Sequence, residues 1–241
     1  MATKNHYNFS LIIACYNESK NIPYLFNEIQ YLQKTNNFEV IIVNNGSFDD
    51  SANKINENLF KIKSYKIVNI KKNIGFGNGI KQGLLNCTSK HVCYMHGDLQ
   101  INLSACIVAY NIFKKSDQEV YVKSRRVNRK AVDYVFTFLM SLYNSFLFKE
   151  VLEDIHSQPN FFRKPSKNII FSAPNDMLID LYFFVFFKKK KIIFKRFDVY
   201  FKKRKFGEGT NDHMIKKFSY ACYSLIKSFD VLKKISVLVK S

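Results

Sequence analysis

Apolar runs alternate with amphipathic segments through the first part of the chain. The runs lie at 9–15, 39–43, 65–70 and 92–95. The runs at 9–15, 39–43 and 92–95 are typical of strands buried in a sheet, and 65–70 is predicted as a further strand. The first amphipathic segment places Ile22, Leu25, Phe26, Ile29 and Leu32 on one helical face, with Ser19 as the expected cap. This alternation predicts an α/β fold with a mostly parallel sheet flanked by helices.

Two longer amphipathic segments follow in the second half. The segment from Lys130 to Lys149 carries Val132, Val135, Phe136, Leu139, Met140 and Tyr143 on one face. A final helix, expected at about 212–239, aligns Met214, Ile215, Phe218, Cys222, Leu225, Ile226 and Phe229 between lysines. That stripe suits a helix at a membrane interface, a homodimer contact or an ordinary packed helix. A transmembrane helix is not expected, because uncharged apolar stretches of about 18 residues are missing from the sequence.

The net charge of the chain limits the classes of partner that we expect it to bind. A net charge of +19 attracts polyanions such as nucleic acid, anionic lipid headgroups or nucleotide-like substrates. Nucleic acid is not expected as a partner, because the chain lacks an aromatic RNA-binding motif and zinc-finger spacing. The five cysteines have no metal-binding spacing and are interpreted as reduced core residues of a cytosolic protein.

Polar clusters follow the predicted strands. Tyr16-Asn17-Glu18 follows the first strand, a run from Asn44 to Ser51 follows the second, and His96-Gly97-Asp98 follows the fourth. Because open α/β sheets bind ligands at the carboxyl ends of their strands, we expect a site there. Asp98 beside a glycine suits a divalent cation that carries a phosphorylated substrate, and the alternative is a plain Asp turn. The run from Gly75 to Gly79 lacks the spacing of a dinucleotide fingerprint.

Seven short segments resemble those of a known family, and they occur along this chain in the same order as in that family. They are Ala14–Glu18, Val43–Ser51, Asn73–Gly79, His96–Gln100, Lys123–Arg126, Asp154–Arg163 and Tyr200–Glu208. The series resembles the GT-A glycosyltransferases of family 2, in the branch of dolichol-phosphate mannose synthase and bacterial polyprenyl-phosphate sugar synthases. The resemblance implies a GT-A domain over 1–210, with a nucleotide half at about 8–100 and an acceptor half at about 101–210. A basic amphipathic helix at 211–241 would follow it.

The implied reaction is inverting transfer of a sugar from a UDP- or GDP-linked donor to a polyprenyl phosphate. By resemblance, the residues that bind the nucleotide-sugar are Ala14, Tyr16, Asn17, Glu18, Asn44, Asn45, Gly46, Ser47, Asn73, Gly77, His96 and Gly97. Asn44 and Asn45 stand where relatives carry two aspartates. An amide still donates and accepts with a base edge, so the nucleotide preference is expected to change; the alternative is an Asn-rich turn.

The resemblance also implies Mg²⁺ or Mn²⁺. His96-Gly97-Asp98 stands where relatives have an Asp-x-Asp motif, which makes Asp98, Gln100 and His96 the expected metal-contacting residues. Diphosphate and water would complete the coordination. His96 is a softer ligand that suits Mn²⁺ better than Mg²⁺, and it could instead contact the nucleotide or bond locally.

The expected catalytic residues are Asp98, Asp154, Arg125 and Arg204, and the expected contacts to the acceptor phosphate are Arg126, Arg129, Gln158, Arg163 and Lys202. A lipid phosphate is already an anion, so its transfer needs no strong base. A saccharide acceptor would need one, supplied by Asp154 or Glu208. A third alternative is a non-catalytic homologue that only binds nucleotide-sugars.

Basic runs and apolar stripes suggest a membrane surface. Lys188–Lys191 and the cations at 195–205 could face anionic headgroups. In relatives the region of the 130–149 helix lies at the membrane. We therefore expect a cytoplasmic protein, peripheral on the inner membrane face.

Overall fold

The computed structural model describes residues 6–206 and 214–240. The strands are β1 (Ser10–Cys15), β2 (Glu39–Asn44), β3 (Tyr65–Asn69), β4 (His91–His96), β5 (Val120–Val127), β6 (Asn160–Arg163) and β7 (Ile193–Tyr200). The helices are α1 (Ile22–Leu32), α2 (Ser51–Asn58), α3 (Phe76–Asn86), α4 (Ser104–Lys114), α5 (Ala131–Phe148), α6 (Lys167–Ser172), α7 (Ile179–Lys189) and α8 (Met214–Lys240), with a 3₁₀ turn at Leu59–Lys61.

The seven strands form one sheet in the order β3-β2-β1-β4-β6-β5-β7. Every neighbouring pair is parallel except those of β6, which runs antiparallel to β4 and β5. The predicted α/β fold with a mostly parallel sheet is confirmed. At the carboxyl edge, Cys15 pairs with Asn44 and Ala14 pairs with His96, so the loops after β1, β2 and β4 meet there.

Helices cover both faces of the sheet because the strand side chains alternate between two cores. Ile12 and Ile41 belong to the core that contains α3 and α7, where every residue from Ile179 to Phe187 is buried. Ile13 and Val40 belong to the other core, which contains α1 and part of α4. Strands buried on both faces are continuous apolar runs, which is why the sequence identified them.

The start of α1 differs from the prediction. The expected buried face of this helix is confirmed in full. However, the helix begins at Ile22 and not at Ser19, with a proline in its first turn. Proline is favoured at that position because its missing N–H would be unpaired anyway. Ser19 is not the cap; its backbone N–H donates to Asp49 in the next loop, at 3.1 Å.

Much of the apolar surface of α5 and α8 is exposed. Buried positions on α5 are Ser141, Asn144 and Phe148, and buried positions on α8 are Ser224, Ser228, Val231 and Ile235. The exposed apolar side chains are Val132, Val135, Phe138, Leu139, Leu142 and Phe146 on α5, and Phe218, Ile226, Phe229 and Val237 on α8. We call this set the outer apolar face. Of the predicted α8 stripe, Phe218, Cys222, Ile226 and Phe229 are exposed and Leu225 is half-buried. The start near 212 and the side chains of Met214 and Ile215 lie outside the described part.

Polar groups form the contact between α5 and α8, and we call this contact the polar seam. The Ser228 hydroxyl donates to Asn144 Oδ1 at 2.8 Å, and the Tyr143 hydroxyl donates to the Leu225 carbonyl at 3.1 Å. Within the described residues, α5 is the one helix long and apolar enough to cross a membrane by length and composition, and most of it is exposed. One such helix is weak evidence of a span, so the expectation of no transmembrane helix stays a prediction.

All five cysteines are free thiols. Cys15, Cys87, Cys93 and Cys106 are buried, as predicted. Cys222 is exposed on α8, so its assignment to the core was wrong. It shares the outward orientation of the stripe to which it belongs.

Candidate active site

The loops after β1 and β2 interlock at the carboxyl edge of the sheet. The Asn17 N–H donates to the Ser47 hydroxyl at 3.1 Å, and the Phe48 N–H donates back to Asn17 Oδ1 at 3.1 Å. Beside them the rings of Tyr16 and Phe48 meet edge to face with centroids 6.0 Å apart, and both are exposed. Exposed aromatic rings on a fixed backbone offer a surface on which a nucleobase can stack.

Both amides of the Asn44–Asn45 pair are buried and bonded to neighbouring loops. Asn44 accepts from the Ser47 N–H at 3.2 Å and donates to Asn69 Oδ1 at 3.3 Å. Asn45 donates to the Gly75 carbonyl at 3.1 Å, and its Oδ1 has no hydrogen-bond partner among the described residues. Asn44 thus acts as a turn-forming residue, while Asn45 keeps one acceptor for a ligand.

The glycines of the site allow close packing of backbone. Gly46 has φ +74°, and a Cβ there would lie 2.3 Å from the Asn73 nitrogen. A Cβ on Gly77 would lie 2.4 Å from the Pro174 carbonyl oxygen, and one on Gly97 would lie 2.6 Å from Cys15 Sγ. Asn73 closes its own turn by accepting the Gly75 N–H at 2.8 Å. These residues shape the edge, and Gly77 faces the 174–176 loop.

Two carboxylates share one cation at the centre of the edge. Arg204 donates to Glu18 Oε1 at 3.1 Å and to Asp98 Oδ2 at 2.9 Å, and both acids are buried. Burial raises the pKa of Glu18 despite Arg204. The Gly97 N–H that precedes Asp98 bonds the Ala14 carbonyl at 3.3 Å, which ties the end of β4 to β1.

This arrangement fits a divalent cation that brings ligands of its own. Clusters of three or more His, Cys, Asp or Glu side chains able to hold a metal are absent from the described residues. Asp98 and Glu18 nevertheless converge on a single positive group. A Mg²⁺ or Mn²⁺ site that takes one or two carboxylates and fills its remaining positions with substrate phosphate and water needs no more from the protein.

His96 lies at the end of β4 against an aromatic ring. Its imidazole is tilted over Phe76, with centroids 4.1 Å apart. Burial lowers the pKa of His96, so the ring is neutral at pH 7. A neutral imidazole has a lone pair for a metal or for a donor group on a ligand.

Gln100 ties the segment after β7 to the site. Its side-chain N–H donates to the Lys202 carbonyl at 3.2 Å, and the Lys202 N–H donates to the Gln100 carbonyl at 2.8 Å. The amide nitrogen of Gln100 is therefore engaged in holding the segment that carries Arg204. The Lys202 side chain is exposed.

A second group of cations lies at the end of β5. Arg126 donates to Asp154 through its backbone N–H at 2.7 Å, through Nε at 2.9 Å and through Nη2. Burial would raise the pKa of Asp154, but the bonds and charge of Arg126 outweigh it and hold that pKa at about 2. The guanidinium carbons of Arg126 and Arg129 lie 5.6 and 5.8 Å from the centroid of the Phe201 ring. We call Arg126, Arg129 and Phe201 the basic cluster.

Two arginines that were expected at the site, Arg163 for the acceptor phosphate and Arg125 for catalysis, make other contacts. Arg163 pairs with His91, at the amino end of β4, and forms an ion pair with Glu119 at 3.6 Å. It lies at the opposite edge of the sheet from Asp98, about 16 Å along the strand from His96 at the end of β4. Arg125 points into solvent, where its Nε donates to Asp198 at 2.7 Å. Arg163 is therefore not brought to Asp98, and the role expected of Arg125 stays a prediction.

Sequence reasoning overlooked a buried polar network behind the site. Lys123 Nζ donates to the Ser157 carbonyl and to Asn160 Oδ1, both at 2.9 Å, and the Tyr94 hydroxyl donates to Asp180 Oδ1 at 2.6 Å. Burial lowers the pKa of Lys123 to about 7. The available signal was a charged residue inside an apolar run, at Lys123 and again at Asp180. The network fixes the loop between Asp154 and β6, and Gln158 is buried within that loop.

Comparison with known proteins identifies relatives. A family model described as Glycosyl transferase family 2 matches residues 10–177. A dolichyl-phosphate beta-glucosyltransferase of Trichomonas vaginalis is 29% identical over 144 residues and covers 55% of this chain and 44% of that protein. A poly-beta-1,6-N-acetyl-D-glucosamine synthase of Staphylococcus epidermidis is 30% identical over 107 residues and covers 44% of this chain and 26% of that protein. The chain thus spans less than half of the length of either relative.

Solved structures share the fold at low identity. Glucosyl-3-phosphoglycerate synthase of Mycobacterium tuberculosis, in complex with Mn²⁺, UDP and phosphoglyceric acid, gives a TM-score of 0.71 at 13% identity. The match covers 95% of this chain and 78% of that chain. The same synthase is also known in complex with Mg²⁺ and UDP.

Proposed function

The chain belongs to glycosyl transferase family 2 and has a GT-A fold, and we propose that it moves a sugar from a nucleotide diphosphate to a polyprenyl phosphate. The proposed reaction is inverting: a phosphate oxygen of the acceptor bonds to the anomeric carbon as the nucleoside diphosphate leaves. The dolichyl-phosphate beta-glucosyltransferase among the relatives supports this type of acceptor.

The observation that carries the proposal is the junction between the basic cluster and α5. Arg126 and Arg129 lie at the end of β5, and α5 begins two residues after Arg129 with its apolar side chains exposed. A polyprenyl phosphate is an anion attached to a long apolar chain. It needs guanidinium groups next to an apolar surface, which is the combination that this junction offers.

The donor would lie across the carboxyl edge of β2, β1 and β4. Tyr16 and Phe48 offer a surface for the base, and Asn45 offers an acceptor within the nucleotide region. Asp98 and Glu18 would hold Mg²⁺ or Mn²⁺, which neutralises the diphosphate as it leaves. Arg204, already at both carboxylates, would bind phosphate oxygens beside them.

The state of Asp154 favours a phosphate acceptor. A general base works best with a pKa near the working pH. Arg126 holds the pKa of Asp154 at about 2, so this carboxylate is a weak base and serves to orient Arg126. A phosphate acceptor needs no base, because it is already ionised.

A second candidate is transfer to a saccharide, which the similarity to a poly-beta-1,6-N-acetyl-D-glucosamine synthase favours. That reaction requires a base for a hydroxyl group. Of the two residues expected from the sequence, Asp154 is bound by Arg126, and Glu208 lies outside the described residues. Productive transfer to a saccharide with none to a lipid phosphate would establish this alternative.

We also propose that the protein works at the inner face of the cytoplasmic membrane. The outer apolar face supports contact with lipid, and the Lys188–Lys191 run adds cations that anionic headgroups attract. Free thiols at all five cysteines are in keeping with a reducing compartment.

The test is transfer of radiolabel from UDP- and GDP-sugars to undecaprenyl phosphate in vesicles, with Mn²⁺, Mg²⁺ or EDTA. We expect labelled lipid with one or more donors, none in EDTA, and a loss of at least 100-fold in Asp98→Ala, by analogy with removal of a transition-state charge partner, which costs roughly 10²–10³. Label that reaches the lipid equally well in EDTA or with Asp98→Ala would contradict the proposed site.

A further inference from the structure

One buried side chain near the site has no hydrogen-bond partner among the described residues. Gln158 is 2% exposed, and neither its Oε1 nor its Nε2 has a hydrogen-bond partner among the described residues. The other buried amide of the same loop, Asn160, bonds through both of its polar atoms. Burying an amide without partners is unfavourable, so such groups in folded proteins call for an explanation.

The sheet places Gln158 at the edge where the donor would lie. Asn160 of β6 pairs with Tyr94 of β4 on one side and with Lys123 of β5 on the other. Gln158 comes two residues earlier, and β6 runs antiparallel to both neighbours. The chain before β6 continues alongside β5 toward the same edge, since the Ser124 N–H donates to the Pro159 carbonyl at 3.2 Å.

The strand order also indicates which part of the donor would lie near Gln158. Tyr16 and Asn45 follow β1 and β2, and Asp98 follows β4. With the base over β2 and β1 and the diphosphate at Asp98, the group beyond the diphosphate lies over β6, which is the next strand of the sheet. That group is the sugar.

The chemistry of an amide favours a hydroxyl group over a phosphate. Gln158 has a free donor and a free acceptor. A phosphate dianion only accepts, so it would leave Oε1 unpaired, whereas a hydroxyl group both donates and accepts and vicinal hydroxyl groups satisfy both atoms.

We infer that Gln158 binds hydroxyl groups of the transferred sugar and so helps to determine which sugar is transferred. This inference rests on the proposed function. Family resemblance puts Gln158 near the sugar and the acceptor phosphate, and the inference assigns it a contact to the donor sugar.

The first test is binding, so it does not depend on turnover. Wild type and Gln158→Met, a near-isosteric change, are titrated with UDP-glucose, UDP-N-acetylglucosamine and GDP-mannose, and with UDP and GDP as the sugar-free controls, all with Mn²⁺. We expect Gln158→Met to bind the preferred nucleotide-sugar roughly 10- to 100-fold more weakly, the loss of one or two buried hydrogen bonds. Binding of the matching nucleotide diphosphate should not change. Equal weakening of both ligands, or no weakening, would overturn the inference.

The second test removes single hydroxyl groups from the sugar of the ligand. Deoxy analogues of the preferred donor, one for each hydroxyl position, are bound to both proteins. At the position that Gln158 contacts, the missing hydroxyl should weaken binding to wild type and have little further effect in Gln158→Met. The inference fails if every deoxy analogue loses the same factor in both proteins.

Thermal unfolding without ligand separates a binding role from a structural one. Gln158→Met should unfold at the same temperature as wild type or higher, because an unpaired buried amide has been removed. The matched control is Asn144→Leu, which removes a buried amide that is hydrogen-bonded in the seam, and its melting temperature should fall. An equal fall in Gln158→Met would assign the amide a structural role.

The two proposals fail in different ways. A wild type that binds these nucleotide-sugars, with Gln158→Met unchanged, overturns this inference alone. A wild type that binds none of the nucleotide-sugars overturns the proposed function and the inference with it.

Discussion

The two candidate acceptors, a lipid phosphate and a saccharide, require different states of the Asp154 carboxylate. A saccharide acceptor needs it free and basic, and the structure has it bound to Arg126 by three hydrogen bonds. The buried pair is maintained because leaving either charge alone in the interior is costly. The pair forms because Arg126, near the end of β5, lies next to the loop that carries Asp154.

The depressed pKa of Asp154 makes stability depend on acid pH. A carboxyl whose folded pKa of about 2 lies below its ordinary value of 3.8 stabilises the fold above about pH 4 and loses this contribution as pH falls toward 2. The contribution is roughly 2 kcal/mol, of which about half is gone at pH 3. Urea unfolding at pH 6 and pH 3 should show a smaller decrease in Asp154→Asn than in wild type. Identical decreases would mean that Asp154 is not held by Arg126 in solution.

Arg204 competes with a metal for the same carboxylates. Replacing it with alanine should strengthen Mn²⁺ binding in the absence of nucleotide, because Asp98 and Glu18 lose their cation. Transfer should fall about 10- to 100-fold, because the leaving diphosphate loses a charged partner. Mn²⁺ titration followed by electron paramagnetic resonance measures the first effect. The control is Lys203→Ala, an exposed neighbour that changes the net charge equally; a similar shift in both variants would exclude direct competition.

Several site residues could be predicted from the sequence because of where they stand. Asn44 ends a buried strand and Tyr16 and Asp98 follow buried strands, and strand ends of a parallel sheet converge. The contacts of Arg125 and Arg163 could not be predicted, because they depend on which face of β5 carries Arg125 and on the direction of β6. Neither property is visible in a single sequence.

At the scale of elements, the outer apolar face is the feature that globular packing leaves unexplained. Side chains such as Phe138, Leu142 and Phe146 are exposed on a helix whose buried face includes Ser141 and Asn144. Contiguous apolar surface of this kind marks an interaction site. The proposed function assigns it to lipid.

The double change Phe138→Glu and Leu142→Glu should abolish flotation with vesicles that contain anionic lipid. Two carboxylates placed in the contact oppose burial in lipid and repel the headgroups. Binding of nucleotide-sugar should be unchanged, since α5 lies outside the donor region. Phe60→Glu is the matched control, an exposed aromatic residue in the 3₁₀ turn far along the chain. Equal flotation of the double variant and this control would remove α5 from the membrane contact.

Periodicity predicted the elements of the first half because tertiary packing there follows the apolar stripes. The face of α1 from Ile22 to Leu32 is the example. Periodicity also predicted α5 and α8 as helices, but it could not show which face of each is buried, because Ser228 and Asn144 meet in a polar seam. An antiparallel β6 between two parallel neighbours could not be inferred either, since its four residues carry no mark of direction.

At the scale of the whole molecule, the site is closed by a contact between distant parts of the chain. The segment after β7 returns to β4, where Lys202 bonds Gln100 and Arg204 bonds Asp98. The buried network of Lys123 and Asp180 joins the sheet to α7 behind it. Such long-range pairs are invisible to local patterns, so the sequence indicated the residues of the site without their partners. The 1–210 and 211–241 division of the chain stays a prediction.

The central claim is that the acceptor is a lipid phosphate. The most direct measurement compares undecaprenyl phosphate with undecaprenol in otherwise identical vesicles, using the donor that the wild type prefers, with Arg126→Ala alongside. We predict labelled product from the phosphate alone and a large loss in Arg126→Ala. Equal transfer to the alcohol, or transfer to a saccharide with none to the lipid phosphate, would contradict the account.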